Sequence, residues 1–263
     1  DKHSGDWMET WAELTEHNPS GSTLKNDVTL GTLFQKMSGM GGVSGNSGKL
    51  ATGRYWIPLQ FWFCRNPGLA LPLFALQFHE VKVILNHDMA AMFTTTNGTN
   101  KLWADYIYLD TDERRRFAQT SHEYLIEQVQ ANRDNCTTGV MKVRLNFNHP
   151  VKSLHWVVQK DTYLAANRLI TASTGTADID TNKNVGGGQK LEYHIDKAEA
   201  DTESNDTFNT AKIMLNGHDR FAPRSQFYFT RTQVHQHHTG YGSITNPDAI
   251  GVYSFALKPE EHQ

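Results

Sequence analysis

The sequence "GRYWIPLQFWFCRNPGLALPLFALQFHEVKVIL", residues 53–85, decides the predicted fold class. Its short apolar runs are rich in aromatic and β-branched side chains, and proline residues and the sequence NPG at 66–68 interrupt them. This pattern predicts two core strands, at 57–63 and 69–78, joined by a turn. From residue 77 to residue 85, polar and apolar side chains alternate, which is typical of a half-buried antiparallel sheet. The stretch therefore predicts a β protein.

Similar short apolar runs predict strands along the rest of the chain. They lie at 102–110, 122–130, 141–149, 154–159, 212–217, 226–234 and 251–257. Loops rich in Thr, Asn, Asp, Gly and Ser separate them, and this organisation favours a sandwich or jelly roll. One helix is predicted at 6–16, where Trp7, Trp11 and Leu14 share a helical face and Asp6 is placed to cap the first turn.

Composition limits the classes of partner. The 263-residue chain is long enough for one large β domain or for two smaller domains. Its formal charge of -3 offers no cationic excess for phosphate, so we do not expect direct nucleic-acid binding. The two cysteines, Cys64 and Cys136, lie outside any zinc pattern and indicate a reducing compartment rather than a disulfide framework. No apolar run reaches the roughly 18 residues of a membrane span.

Both ends of the sequence look cut. The chain begins without Met and without the basic and apolar regions of a signal peptide, and it stops directly after a strand-like run. We therefore expect an internal piece of a longer protein.

Two short motifs resemble catalytic signatures but lack essential positions. Residues 43–50, "VSGNSGKL", resemble a phosphate-binding P-loop, yet Val43 and Leu50 stand where that motif needs Gly and Ser or Thr. His122 and Glu123 open like a zinc-protease helix, but Ile126 stands where the second His is needed. A structural interpretation of 122–130, as a strand with its polar side chains outward, is favoured over a zinc site.

A histidine cluster lies at residues 235–238. On a strand, His235 and His237 would share one face and could hold a divalent metal, with His238 beside them. No carboxylate lies in the same short stretch, so a solvated His-rich loop is favoured over a metal site. With no coherent catalytic set elsewhere, we expect no catalytic residues, no metal and no cofactor.

Three N-glycosylation sequons begin at Asn97, Asn135 and Asn205. Each falls in a predicted loop, where a glycan has room, so the three are candidate acceptor sites. The three-residue pattern also arises by chance in a Thr-rich chain and does not by itself indicate modification.

Five longer blocks carry a family resemblance. They are "YWIPLQFWFCRNPGLALPLFALQFHEVKV" (55–83), "DYIYLDTDERRRFAQTSHEYLIEQVQ" (105–130), "RLNFNHPVKSLHW" (144–156), "KIMLNGHDRFAPR" (212–224) and "YSFALKP" (253–259). In content and order they resemble the major capsid proteins of nucleocytoplasmic large DNA viruses. The nearest resemblance is to the algal-virus (phycodnavirus) branch, with iridovirus capsid proteins further off.

The resemblance implies an all-β double jelly roll, truncated here at both ends, with short helices in its loops. Residues 1–111 would be the C-terminal part of the first roll, 112–121 an inter-roll linker, and 122–263 the N-terminal part of the second roll. It also implies a structural, non-enzymatic protein whose homotrimers form pseudo-hexagonal capsomers of a large icosahedral double-stranded DNA virus shell.

The same resemblance implies partners and a location. Expected partners are further copies of the chain, neighbouring capsomers and minor capsid proteins in the virion, assembled in the host cytoplasm. An inner viral membrane would lie nearby without being spanned. The loops at 36–53, 94–101, 131–140 and 160–207 would form the outer surface and trimer contacts, some bearing glycans.

Three alternatives stay open. A carbohydrate-binding jelly-roll module would share the architecture. A minor capsid protein of the same lineage would share both architecture and setting. A metal-dependent cupin-like enzyme would use the histidines at 235–238.

The charged segment at 110–121 is predicted to join the two rolls. Its acidic and basic side chains nearly cancel, which favours ion pairs that lock the rolls together over phosphate binding. The predicted seam residues are Asp112, Glu113, Arg114, Arg115 and Arg116.

Overall fold

The computed structural model describes most of the chain in separate stretches. These are residues 1–17, 32–38, 54–87, 99–135, 139–158, 208–240, 242 and 250–262. The P-loop-like sequence 43–50, Cys136 and two sequon asparagines, Asn97 and Asn205, lie outside the described residues.

Helix α1, Gly5–Thr15, confirms the predicted N-terminal helix. The side chain of Ser4, rather than that of Asp6, caps it by accepting a hydrogen bond from the Trp7 N–H at 3.1 Å. Asp6 instead lies in the first turn, where an acidic side chain complements the helix dipole. The second helix, α2, is Leu33–Ser38.

The opening stretch does not form the two predicted strands. It contains helix α3, Trp62–Arg65, and a 3₁₀ turn, Pro67–Leu69. The Asn66 side chain accepts from the Gly68 N–H at 2.9 Å, and the Pro72 carbonyl accepts from the Ala75 N–H at 2.8 Å. Local turns closed by these bonds replace a strand ladder, so the strands predicted at 57–63 and 69–78 are wrong.

The predicted linker is largely helical: helix α4 is Thr111–Gln119. Asp110 and Glu113 form a reciprocal capping box at its start. The side chain of each residue accepts a hydrogen bond from the backbone N–H of the other. Thr120 ends the helix with its N–H bonded to the Arg116 carbonyl at 3.0 Å.

The largest described sheet joins two predicted strands. Strand β1, Ser153–Val157, pairs antiparallel with β6, Ile250–Ser254, which confirms the strands predicted at 154–159 and 251–257. In this register Trp156 lies opposite Gly251. A Cβ at position 251 would lie 2.2 Å from the Trp156 indole, so only glycine fits.

Two smaller antiparallel pairs lie between these strands in sequence. β2, Thr210–Ala211, pairs with β5, Arg224–Ser225, and β3, Met214–Leu215, pairs with β4, His218–Asp219. Asn216 and Gly217 connect β3 to β4 with φ angles of 52° and 85°. Two positive φ values in a two-residue Asn-Gly connection are the signature of a tight hairpin turn.

Residues 226–237 are helical, so the strand predicted at 226–234 is wrong. A π-helical turn, Tyr228–Thr232, continues into helix α5, Gln233–His237. The buried side chains in this stretch are Gln226, Phe229, Thr230, Gln233 and Val234. Their spacing of three, one, three and one residues marks a helical face, which the aromatic and β-branched composition obscured in the sequence.

Three other predicted strands, 102–110, 122–130 and 141–149, are not paired in any sheet of the described ranges. Large apolar side chains on them are exposed, among them Tyr108 at 87% and Trp103 at 71%. The described architecture is therefore three small antiparallel sheets, with short helices before them in the chain and one helical stretch between β5 and β6.

A small apolar core ties the two ends of the described chain together. Leu14 of α1 packs with Val234 of α5 and with Ile250 and Val252 of β6, and Val157 of β1 lies against them. Of the helices that the structure describes, none has the length and apolar character needed to cross a membrane.

Candidate functional site at the joint between the two halves

Helix α1 is one of the places where the described residues of 1–111 contact those of 122–263. We call these contacts the joint. The C-terminal turn of a helix leaves carbonyl groups without intrahelical partners. Here the Leu14 carbonyl accepts from the Gly240 N–H at 2.7 Å, and the Glu13 carbonyl accepts from the Gly242 N–H at 3.1 Å. The second half of the chain therefore caps a helix of the first half.

Gly240 is required by this close approach. A Cβ at position 240 would lie 2.5 Å from the Glu13 carbonyl oxygen and 2.6 Å from the Leu14 carbonyl carbon. Both are backbone atoms, which cannot rotate away as a flexible side chain can. Any side chain at position 240 would therefore separate α1 from the second half.

Aromatic rings fill one side of the joint. The Trp7 ring centroid lies 5.5 Å from that of His155, and the Trp11 centroid lies 6.1 Å from His155 and 6.2 Å from His238. All three pairs meet edge to face, the geometry that aromatic rings prefer. The Arg65 guanidinium lies over the Trp11 ring, 4.5 Å from its centroid, as a cation–π contact.

The two histidines of this cluster lie beside each other, with ring centroids 5.5 Å apart; His238 is buried and His155 is half-buried. His155 Nε2 lies 2.9 Å from Ser153 Oγ, while His155 Nδ1 has no hydrogen-bond partner among the described residues. Burial, together with the nearby charges of His238 and Arg65, lowers the pKa of His155 to about 3. His155 is therefore neutral at ordinary pH.

His238 is anchored to the C-terminal turn. Its Nδ1 lies 2.8 Å from Glu260 Oε1, and the same carboxylate accepts from the Thr239 N–H and hydroxyl. Burial raises the pKa of Glu260, but the hydrogen bonds from His238 and Thr239 outweigh it, so the pKa is lowered overall. The carboxylate is thus charged and holds the ring orientation of His238.

The opposite side of α1 buries two carboxyl groups against α2. The Gln35 amide nitrogen donates to Glu9 Oε1 at 2.6 Å and to Glu13 Oε1 at 2.5 Å. Gln35 Oε1 accepts from the Thr32 N–H at 2.9 Å, which fixes the orientation of the amide. Burial and then repulsion from Glu13 raise the pKa of Glu9 to about 8, against the smaller opposing effect of the Gln35 hydrogen bond.

A charged contact also bridges the halves. Glu127 pairs with Arg65 at 3.3 Å and with Lys152 at 2.5 Å. The exposed fractions of the three side chains lie between 20% and 27%. Nearby, the Tyr124 hydroxyl donates to the Ala70 carbonyl at 3.3 Å. Partial burial makes the Glu127 pairs worth more than pairs in open solvent.

The five predicted seam residues lie on the exposed helix α4. Arg115 pairs with Asp112 of the same helix at 3.6 Å, and Glu113 serves in the capping box. The Arg114 guanidinium nitrogen donates to the Leu109 carbonyl at 2.7 Å and lies over the Phe74 ring, while Arg116 is exposed. In the described stretches, the ion pair of these residues stays inside α4. Their docking role stays a prediction.

His235 and His237 lie on helix α5, not on a strand, so their predicted shared face is wrong. Residues two apart on a helix point in directions about 200° apart. His235 is exposed, His237 bonds the Leu257 carbonyl through Nδ1 at 2.9 Å, and His238 is buried at the joint. Within the described ranges, no group of three or more His, Cys, Asp or Glu is arranged to hold a metal ion.

Other predicted residues lie away from the joint. His122 Nε2 lies 2.7 Å from the Phe117 carbonyl, where it closes the end of α4, and Glu123 is exposed. Asn135, the one sequon asparagine that the structure describes, is exposed. Cys64 is exposed and free.

An open cleft of about 400 Å³ borders the joint. Trp62, Arg65, Glu127, Glu260 and Glu261 line it. Its acids are already engaged, because Glu127 pairs with Arg65, Glu260 with His238, and Glu261 with a lysine, Lys258. The cleft therefore has ordinary ion pairs in its walls rather than a set of free binding groups.

Two capsid protein families match this chain one after the other. Residues 1–110 match the family described as major capsid protein N-terminus, and residues 113–263 match the large eukaryotic DNA virus major capsid protein family. The chain belongs to the large eukaryotic DNA virus major capsid protein family. The family resemblance inferred from the sequence is thereby confirmed, and the family is one of structural proteins rather than enzymes.

Relatives in this family come from several groups of viruses. The chain is 40% identical to the major capsid protein of Pyramimonas orientalis virus, over all of this chain and 61% of that protein. It is 36% identical to the major capsid protein of Paramecium bursaria Chlorella virus 1, over all of this chain and 59% of the relative. With the major capsid protein of Costelytra zealandica iridescent virus the identity is 26%, over 95% of this chain and 56% of the relative. The chain spans about 60% of the length of the first two.

A solved structure in the same family has a similar fold. The PBCV-1 capsid protein VP54, whose crystal structure was fitted into a cryo-EM reconstruction of the virophage Sputnik, superposes with a TM-score of 0.62 at 30% identity. The match covers all of this chain and 63% of VP54.

Sequence reasoning missed the joint itself. The i, i+4 pair Trp7 and Trp11 was visible as a helical face, but its partners His155 and His238 lie far along the chain. Nothing in the sequence marks Glu9 and Glu13 as buried, because carboxylates are rarely buried. The joint crosses from the residues that match one family into those that match the other.

Proposed function

We propose that this chain is part of a major capsid protein that builds the shell of a large icosahedral double-stranded DNA virus. The observation that carries the proposal is the pair of capsid families matching 1–110 and 113–263 in succession.

The proposed architecture is a double jelly roll. Residues 1–111 contribute to the first roll, 112–121 link the rolls, and 122–263 contribute to the second. The similarity to VP54 supports this assignment, and so does the position of the family boundary at residues 110–113. The exposed apolar side chains on 102–110 and 122–130 would then belong to strands that pair within complete rolls.

The proposed assembly is a homotrimeric, pseudo-hexagonal capsomer. Its partners are other copies of the chain, neighbouring capsomers and minor capsid proteins, with the virion as its location and the host cytoplasm as the place of assembly. Nucleic acid would not contact it directly, and an inner viral membrane would lie nearby. We assign it no enzymatic activity and no cofactor.

Two surface roles belong to this proposal. The charged helix α4, with Asp112, Glu113 and Arg114 to Arg116, would contribute ion pairs to docking between rolls or copies. Asn97, Asn135 and Asn205 would be the candidate positions for surface glycans. The exposure of α4 and of Asn135 supports both roles.

Native mass spectrometry and cryo-electron microscopy of the protein that carries this sequence test the proposed function. We expect a trimer with a pseudo-hexagonal outline and two jelly rolls per copy. A stable monomer with one roll, or a lattice built from another oligomer, would contradict it. Electron microscopy of virions labelled through this protein distinguishes a shell protein from a minor component.

A further inference from the structure

Helix α1 is buried on two opposite faces, and each face carries an ionisable group that must be neutral. Trp7 and Trp11 face the histidine pair, while Glu9 and Glu13 face α2. The second pair is offset by two residues from the first, which places it about 200° around the helix. Proton binding on either side therefore acts on the same element.

On the α2 face, two carboxyl groups share one donor. The exposed fractions of Glu9 and Glu13 are 2% and 5%, and the Gln35 amide reaches one oxygen of each. Glu9 Oε2 has no hydrogen-bond partner among the described residues. Among the described residues, the charged groups that act on Glu9 are Glu13 and Asp6 of α1 and Glu16 at its C-cap, all acidic, while the charged side chain of α2, Lys36, is exposed. Two buried charges at this site would repel each other, so Glu9 must keep its proton while the joint is closed.

On the other face, none of the described acidic side chains is paired with His155. Trp7 and Trp11 contact it from α1, and His238 and the cationic Arg65 are the charged or titratable groups that face it. Glu260 pairs with His238 through Nδ1. A proton on His155 would add a positive charge beside Arg65 with no anion in contact, so His155 must stay unprotonated while the joint is closed.

We propose that helix α1 is a two-sided pH latch, which holds the joint closed while Glu9 is protonated and His155 is neutral, and releases it in acid and in alkali. Release means that α1 leaves both α2 and the histidine pair, which uncovers the contact between the two halves. The latch is a property of the joint and goes beyond the proposed capsid role.

The titrations of Glu9 and His155, which we call the two limbs of the latch, change the opening equilibrium in opposite directions as pH rises. The pKa of Glu9 is about 8 in the closed state against 4.5 in its ordinary state, so opening becomes easier as pH rises from 4.5 to 8. The pKa of His155 is about 3 against 6.5, so opening becomes easier as pH falls from 6.5 to 3. Each effect changes the opening equilibrium roughly tenfold per pH unit inside its own window. The two cancel between about pH 4.5 and 6.5, which predicts a plateau of greatest closure there.

Hydrogen–deuterium exchange with mass spectrometry measures the opening. The probe is the peptide that covers α1, in the protein that carries this sequence, from pH 4 to pH 9. Rates are divided by the intrinsic chemical rates, and the peptide that covers the exposed helix α4 serves as an internal reference. We expect the fraction of open α1 to be flat near pH 5.5 and to rise roughly 30-fold between pH 6.5 and 8.

Two variants separate the limbs. Glu9→Gln imitates the protonated acid and should abolish the rise in α1 opening above pH 6.5. Between pH 4.5 and 6.5, opening of this variant should fall roughly tenfold for each unit by which the pH rises. His155→Gln keeps a donor near Ser153 and should give the opposite slope in that window. The matched controls are Glu123→Gln and His235→Gln, which change exposed residues and should follow the unmodified protein.

The opposite slopes are the decisive result. If Glu9→Gln shows the same pH profile as the unmodified protein, the proposal is wrong. The same holds if both variants slope in one direction, or if α1 and α4 respond to pH alike. Should His155→Gln fail to fold, the Glu9→Gln profile alone decides, because it uncovers the histidine limb: a flat profile between pH 4.5 and 6.5 overturns the latch.

Discussion

Helices α1 and α4 look alike in sequence but have opposite surroundings. Both are short, both have a side-chain N-cap, and both carry acidic side chains. Yet α1 buries six of its residues, from Glu9 to Leu14, while α4 buries none. The sequence predicted the charge-dense segment that forms α4 as the joining element, whereas α1, the helix with two tryptophans, contacts the second half. Density of charge is thus a poor guide to where a chain is joined, because exposed ion pairs contribute little free energy.

The largest effect should come from removing the apolar anchor of α1. Leu14 is fully buried against Val234, Ile250 and Val252. Leu14→Ala leaves a cavity and should lower the free energy of unfolding by about 3 kcal/mol. Chemical denaturation followed by circular dichroism measures it. The control is Leu33→Ala on α2, where the leucine is 64% exposed and the loss should be far smaller. Equal losses for the two variants would contradict the assignment of α1 as the joint.

A methyl group at the helix cap should have the next largest effect. Gly240→Ala places a Cβ against the backbone of Glu13 and Leu14 and should destabilise the protein by about 2 kcal/mol. The same substitution at Gly68 is the control, since the nearest atom there is the Asn66 side-chain oxygen at 3.3 Å. Thermal unfolding of both variants gives the comparison, and a harmless Gly240→Ala would show that α1 is not held as closely as described.

A partly buried ion pair should matter less than either. Glu127→Gln weakens the contacts to Arg65 and Lys152 and should cost about 1 kcal/mol of unfolding free energy. Glu80→Gln is the matched control, because its pair with Lys82 is more than two-thirds exposed. The difference between the two variants should disappear in concentrated salt if the Coulomb attraction is its cause. A cost that is insensitive to salt would point to packing instead.

Some of the fold was predictable and some was not, for physical reasons. Helix α1 and strands β1 and β6 were predicted because their buried faces repeat with helical or strand periods. The strands at 57–63 and 226–234 were wrong, because aromatic and β-branched residues also suit short helices and turns that pack on a sheet. Local composition could not tell these apart without knowledge of the neighbouring elements.

The joint was harder to predict than the elements that form it. Its hydrogen bonds and ring contacts join residues near the N-terminus to His155, His238 and Gly240, and no local pattern relates such distant positions. The need for glycine at 240 arises only from the approach of α1. By contrast, the capping box of α4 is a local pattern, since Asp110 and Glu113 stand three residues apart, although the segment was predicted only as a linker.

The smallest effect on unfolding should come from α4. Replacing Arg114, Arg115 and Arg116 together by Glu should change the free energy of unfolding by less than about 1 kcal/mol, because these side chains are exposed. The proposed docking role predicts a separate loss, in the mass of the assembled trimer measured by light scattering. Normal assembly of the triple variant would remove the support for α4 as a docking helix and leave the joint unaffected.

The central claim is that α1 is coupled directly to the second half of the chain, and a double-mutant cycle tests it. The cycle combines Leu14→Ala with Val234→Ala and measures the free energies of unfolding of both single variants and the double variant. We predict a coupling energy of about 1 kcal/mol, since the two side chains share one apolar cluster. Losses that add to within about 0.3 kcal/mol would contradict the claim.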